Sequence, residues 1–296
     1  MKRYKIIHRT DYGYSDWVEL LPHLLRLRPR EGHDLRIESS VLDIDPPAIL
    51  RWHLDAEGNT IATASFNTPT QHLCIESEII VEQYNEEPLD FLITDHAVHF
   101  PFDYHEEERR LLSIYMDNTI RMESSHGPLK QWKDLLFPLT HECENIQTFS
   151  LLSNLSHTIH QKINYQRRDD EGVQSPEQTL ALATGSCRDM AYLFISTART
   201  LGFAARFVSG YMHSGASGVL YGATHAWAEV FIPGAGWKGF DPTNDSIVGS
   251  EYIAVSVAHS LESIPPVSGQ YQGTPSSTMR VVVMVKELSP CSQAKN

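Results

Sequence analysis

The chain has 296 residues, with 24 Lys and Arg against 37 Asp and Glu and a formal net charge of -13. Its 41% hydrophobic and 21% charged residues are those of a globular protein, which excludes a disordered chain. The acidic balance argues against nucleic acid or an anionic membrane as the main partner, since both require a basic face.

The length suits one large domain or two ordinary ones, because single cores stop growing at about 250–300 residues. The opening MKRYKIIHRTDYGY has no apolar stretch of signal-peptide kind, and no run approaches the ~20 apolar residues of a membrane helix. The four cysteines, Cys74, Cys143, Cys187 and Cys291, are far apart with no CxxC pair, which suits free thiols in a reducing compartment. A soluble, cytoplasmic protein is the expectation.

Residues 1–100 read as a β-rich domain. Aromatic and β-branched residues in RYKIIHRTDYGY favour extended chain. In LRIESSVLDID, strict alternation puts Leu35, Ile37 and Val41 on one face. Asp55 to Asn59 forms a turn between RWHL and TIATASF, and CIESEIIVE continues the pattern. Several short strands at this spacing predict a β-sandwich.

Residues 101–296 read as a second, α+β unit. LKQWKDLLF and NIQTFSLLSNLSHTIHQKI have helical periodicity, the latter through Leu152, Leu155, Ile159 and Ile163. Ser175-Pro176-Glu177-Gln178 has the capping-box form, predicting a short helix through Leu182 that stops at Gly185. Residues 188–201 predict a helix apolar nearly all round, ended by Gly202 and therefore buried. ARFVSGYM, HAWAEVFI and WKGFDPT read as strands, 262–278 as loop with RVVVMVKEL a final strand, and SPCSQAKN as a loose tail. The segment from Met212 to Gly222 is expected to be the mobile element.

Cys187 stands where a loop enters the buried helix. Orphan N–H groups and the positive dipole end favour a thiolate there, and Gly185 leaves room for a substrate. Arg188 favours the thiolate; Asp189 opposes it while improving the helix. Most free cysteines are simply small buried residues, so chemistry requires a partner base. His225 is the best candidate. As a strand, its segment places His225, Trp227, Glu229 and Phe231 on one face, with small and aliphatic residues on the other.

Asp241 is the third member. A hairpin turn centred on Pro233 would set His225 directly opposite Asp241, while a turn centred on 234–235 would shift that pairing by three residues. The first register gives Asp241 the role of holding one imidazole nitrogen while the other faces a thiol. A loop-starting Asp before proline is the bland alternative.

GSCRDMAYLFISTARTLGFAARFVSGYM, THAWAEVF and GWKGFDPTN resemble the three core blocks of the transglutaminase-like superfamily, most closely its bacterial members, which are often labelled cysteine proteases. The resemblance covers 160–250, and the strand-rich start is similar to the β-rich region that precedes the core in those proteins. It implies a papain-like α+β fold with Cys187 as nucleophile, His225 as general base and acid, and Asp241 as orienter. Thiol-dependent acyl transfer on peptide or amide bonds follows as the implied activity, with hydrolysis favoured and transamidation possible. The Cys187 N–H is one expected oxyanion donor and Tyr165 the candidate second; Trp227 and Trp237 are cleft candidates, although core packing suits at least one. Arg206 and Tyr211 fit the family pattern as structural residues.

No metal, calcium site or other cofactor is expected. The expected partner is a peptide or protein substrate, and the oligomeric state is left open. A non-catalytic peptide- or protein-binding module on the same fold is the competing expectation.

Overall fold

The computed structural model describes residues 1–84, 86–117, 127–137, 146–168, 172–213, 224–260 and 264–288. The N-terminal half is built from β1 (Lys2–Leu20), β2 (His23–Leu25), β3 (Leu35–Asp45), β4 (Ile49–Leu54), β5 (Thr60–Ser65) and β6 (Thr70–Gln83). Along β1 the even-numbered Tyr4, Ile6, His8 and Thr10 are buried, while their odd neighbours face outward. That period of two marks one buried face.

The middle of the chain forms α1 (Glu106–Met116), α2 (Gly127–Phe137), α3 (Thr148–Lys162), β7 (Asn164–Tyr165), α4 (Pro176–Leu182), β8 (Thr184–Gly185) and α5 (Cys187–Thr200). A five-stranded sheet follows from β9 (Ala205–Met212), β10 (His225–Ile232), β11 (Gly236–Asp241), β12 (Ser246–Ile247) and β13 (Tyr252–Ala258), in the order β12-β11-β10-β9-β13. Met190, Ala191, Leu193, Phe194, Ile195 and Ala198 of α5 are all buried, as a helix apolar nearly all round requires. They pack on Ala226, Ala228, Val230 and Ile232 of β10, the small and aliphatic face read from the sequence. Each fully buried Leu, Ile or Phe here contributes ~1.5–3 kcal/mol.

Three features depart from the sequence reading. The C-terminal strands β14 (Val267–Ser268), β15 (Tyr271–Gln272) and β16 (Ser277–Leu288) do not belong with the second unit. β16 pairs with β1 from Arg3↔Leu288 to Tyr14↔Ser277, and β14 joins the β2-β5-β4 sheet. Residues 267–288 therefore complete the N-terminal sandwich, and the expected unit 101–296 loses its last strands to the first.

The alternation of LRIESSVLDID is broken by a bulge between Ile37 and Ser39. An extra residue exchanges the two faces of a strand. Beyond it Leu42 and Ile44 pack against the sandwich core, and Val41, expected beside Leu35 and Ile37, is exposed. The short helix α4 has the full Ser175–Gln178 capping box but ends on Ala183 in the left-handed region (φ 52°), while Gly185 lies in β8. The Met212–Gly222 expectation falls largely on 214–222, outside the described residues, as do Cys143, Cys291 and the tail. Among the described residues no helix is long and apolar enough to cross a membrane.

The two halves share a core. Tyr4, Ile6, Ile79, Val81, Val283 and Val285 of the sandwich pack with Tyr211, Ile253 and Val255 of the second sheet. One polar side chain pins the same seam. Fully buried Asn59, in the β4–β5 turn, donates from Nδ2 to the Val257 carbonyl (2.8 Å) and accepts from the Val257 N–H (2.9 Å). Asn59→Ala would orphan both backbone groups, at ~1–3 kcal/mol each. The urea midpoint of the whole chain is expected to fall, with a loss of about 2–6 kcal/mol, and an unchanged midpoint would show that water replaces the amide.

Candidate active site

Three elements converge on His225. The first is the start of α5, where Cys187 is the first helical residue and Ser186 the cap. Asp189 completes a capping box that the sequence reading missed. Its Oδ2 accepts from both the Ser186 N–H and the Ser186 hydroxyl, each at 2.8 Å. The Ser-x-x-Asp spacing was the available signal. Asp189 is fully buried, and both its oxygens accept from Arg168 Nη1 at 2.9 Å while Oδ1 also accepts from the Gln174 N–H. The carboxylate expected to oppose a thiolate is thus neutralised locally by Arg168.

The second and third elements are β10 and β11. Their register runs from Ile232↔Gly236 to Ala228↔Phe240, with Gly234 and Gly236 both at positive φ in the turn. Neither expected register is the observed one. The first would have placed Asp241 opposite His225; the observed ladder, continued by one step, places it opposite Trp227. A slip of two residues keeps every side chain on its face. Asp241 consequently reaches His225 diagonally, and its Oδ2 accepts from Nε2 at 2.7 Å. With Nε2 so engaged, Nδ1 is the ring nitrogen left for Cys187, which together with Asp241 favours the protonated imidazole.

Burial would lower the pKa of His225, but the hydrogen bonds and charges of Asp241 and Cys187 outweigh it and push the value up to about 10. Asp241 is fully enclosed, which by itself would raise its pKa. The bonds from His225, Asn244 and Tyr252 reverse that and hold it below the ordinary 3.8. Its Oδ1 accepts the N–H groups of Thr243 (2.9 Å) and Asn244 (3.4 Å), the geometry of an Asp opening a turn. Asn244, Tyr252 and Ser246 were not identified from the sequence. Asn244 was legible as the turn residue three beyond Asp241; Tyr252 had no local signal, because sheet order alone brings β13 to the site.

The remaining candidates separate. Tyr165 lies in β7, paired in parallel with Gly185 two residues before Cys187, and is 55% exposed. Trp227 is fully buried among Val208, Tyr252 and Val257 and does not line a cleft; its ring backs His225 at 6.2 Å. Gly210 makes this packing possible, since a Cβ there would sit 2.7 Å from Trp227 and 2.2 Å from the Ile253 carbonyl. Trp237 lies under the Arg206 guanidinium (4.0 Å), away from the site, and Glu229 is held by Arg206 at 2.7 Å. Tyr211 is buried with its hydroxyl 3.0 Å from His8. Among the described residues no group of three or more His, Cys, Asp or Glu could hold a metal.

The raised His225 pKa has a consequence for stability. The imidazolium's contribution is complete below pH 6.5 and is lost as pH climbs toward about 10. The depressed Asp241 contributes above its ordinary 3.8 and loses that contribution as pH falls. The Tm difference between wild type and Asp241→Asn is therefore expected to be largest at about pH 5–6.5 and to shrink between 6.5 and 10. A difference that stays flat across that window in thermal melts would contradict the ion pair.

Residues 4–82 match the family model of the bacterial transglutaminase-like N-terminal region, and residues 139–242 match that of the transglutaminase-like superfamily. An uncharacterised protein of Mycobacterium leprae is 24% identical over 293 residues, covering 98% of this chain and all of its own. One from Mycobacterium tuberculosis is 29% identical over 280 residues, covering 90% of this chain and 87% of its own. A crystal structure from Cytophaga hutchinsonii, described as that of a candidate cysteine protease, shares the fold with a TM-score of 0.71 at 18% identity, covering 98% of this chain and 92% of that one. The two family regions thus lie in order along one chain, the bacterial N-terminal region at 4–82 and the transglutaminase-like superfamily core at 139–242, and the fold of that crystal structure is shared almost end to end.

Proposed function

We propose that the protein is a thiol-dependent acyl-transfer enzyme that acts on peptide or amide bonds through Cys187, His225 and Asp241. The observation that carries this reading is His225 with Nε2 on Asp241 at 2.7 Å, its protonated form favoured by both Asp241 and Cys187, the latter at a helix N-terminus. A histidine raised to about 10 is an imidazolium at neutral pH, and an imidazolium beside a thiol favours the nucleophilic thiolate form.

The steps follow from those positions. The Cys187 sulfur attacks the carbonyl carbon and forms a C–S bond, and the displaced electron pair makes an oxyanion. The Cys187 backbone N–H is free for that oxyanion, being at the first helical position, and exposed Tyr165 beside Gly185 is the candidate second donor. His225 gives its proton to the leaving amine as the C–N bond breaks and a thioester forms. It then takes a proton from the water that attacks the thioester, and sulfur leaves with the electron pair. Asp241 stays ionised throughout, because its other donors stabilise the carboxylate.

Water is the favoured acceptor. A lysine-like amine would need a carboxylate in the cleft, and Glu229 is committed to Arg206. Transamidation is the second outcome of the same chemistry.

The test is the pH dependence of iodoacetamide labelling, with peptide amides offered as substrates and free amines as competing acceptors. One fast site is expected in the wild type, abolished in Cys187→Ala. In His225→Ala it should shift toward the ordinary thiol value of about 8.5, with amidase turnover reduced on the order of 10²–10⁴-fold. If Cys187 labels no faster than an ordinary thiol, the paired nucleophile is lost, and a peptide-binding module becomes the reading.

A further inference from the structure

The oxygen of Asp241 that holds His225 carries two further donors, Asn244 Nδ2 at 2.7 Å and the Tyr252 hydroxyl at 2.8 Å. We propose that Tyr252, oriented by Ser246, is a positioning residue of this site: its hydroxyl shares the Asp241 oxygen used by His225 and limits how tightly that carboxylate holds the imidazole. The inference rests on the reading of Cys187, His225 and Asp241 as a reactive unit, and adds a fourth member to it.

Several observations point to Tyr252 rather than to general packing. The residue is buried, and its hydroxyl lies 2.7 Å from the Ser246 hydroxyl as well as 2.8 Å from Asp241. A tyrosine hydroxyl has one proton. Ser246 can satisfy the oxygen by donating to it, and the tyrosine proton is then directed at Asp241. A carboxylate oxygen has about two lone-pair sites, so a third donor competes with the imidazole for charge instead of filling an empty place. The approach is arranged by the sheet. Tyr252 starts β13, two strands from β10, and meets Trp227 edge-on at 5.3 Å beside a β9 position occupied by Gly210. Any side chain at 210 would collide with Trp227 and the β13 backbone.

The physical effect has a definite sign. A donor on the ionised carboxylate disperses its charge and favours the ionised form. Removing it concentrates charge on the oxygen facing Nε2 and strengthens the imidazolium. The titratable groups that face His225 are Asp241 from β11, Cys187 from α5 and Tyr252 from β13. On the adjoining turn, Asp245 is bonded to His157 and the Thr243 carbonyl to His160, both from α3. None of these four residues changes in the variants below.

The experiment follows the His225 ring by NMR through a pH titration of the full chain, in a Cys187→Ala background where the thiol no longer couples to it. Tyr252→Phe keeps the ring packed on Trp227 and removes only the hydroxyl. The His225 midpoint is expected to rise by about half a unit to one unit, since one hydrogen bond to a charged group is removed. Ser246→Ala should shift it in the same direction by less, and provides the same reading should Tyr252→Phe fail to fold. An unchanged or lowered midpoint in both variants would overturn the proposal and leave Tyr252 a packing residue. Iodoacetamide labelling of Cys187 in the otherwise wild-type chain separates the two claims. Fast labelling with no Tyr252 shift sinks only the positioning role, whereas slow labelling sinks the enzyme reading whatever the titration does.

Discussion

A fully buried carboxylate is the costliest group in this structure to leave unpaired, and Asp241 is one. Burying an ionised carboxylate without partners costs many kcal/mol, so such a group must be matched or it will not stay charged. Asp241 receives five donors from four residues: His225, Tyr252, Asn244 twice, and the Thr243 backbone. Those residues come from β10, β13 and the turn after β11. The local geometry of the site is the arrangement that lets this one charge stay inside, and the imidazolium is the cation that balances it.

Reading the chain from sequence worked where chemistry was local. The α5 stripe, its Gly202 end and the capping box before α4 depend on residues a few positions apart, and all are present. The alternation of HAWAEVFI correctly separated the helix-facing side from the His225 side, because a strand has only two faces. The same property rescued the His225–Asp241 pair. The turn was placed two residues from the right register, but parity was conserved, so the pair survived as a diagonal rather than a direct contact.

What was not legible depends on long separations. Nothing local says that β16 returns to pair with β1, nor that Tyr252 crosses toward Asp241 from two strands away. One inserted residue in β3 exchanged the faces of Val41 and Leu42, and bulges leave no reliable mark on composition. Trp227 was ambiguous for a related reason: an aromatic two residues from a candidate site histidine can line a cleft or back it. Gly210 decides the matter, and its role appears only when the neighbouring strands are in place.

The electrostatics around the thiol follow from how two buried carboxylates are matched separately. Asp189 is two residues from Cys187, and on a chain of net charge -13 an unmatched anion there would work against a thiolate. Arg168 and the capping bonds of Ser186 absorb that charge on the α5 side. Asp241 is absorbed on the sheet side by His225 and its turn. What remains for the sulfur is the helix N-terminus and the imidazolium, both positive. A double substitution that removed Arg168 and Asp189 together would keep the local charge balanced and leave the sulfur facing the same two partners, whereas removing Arg168 alone would leave a buried anion beside it. Charge balance on both sides of the cysteine, more than any single neighbour, sets the electrostatic surroundings of the sulfur.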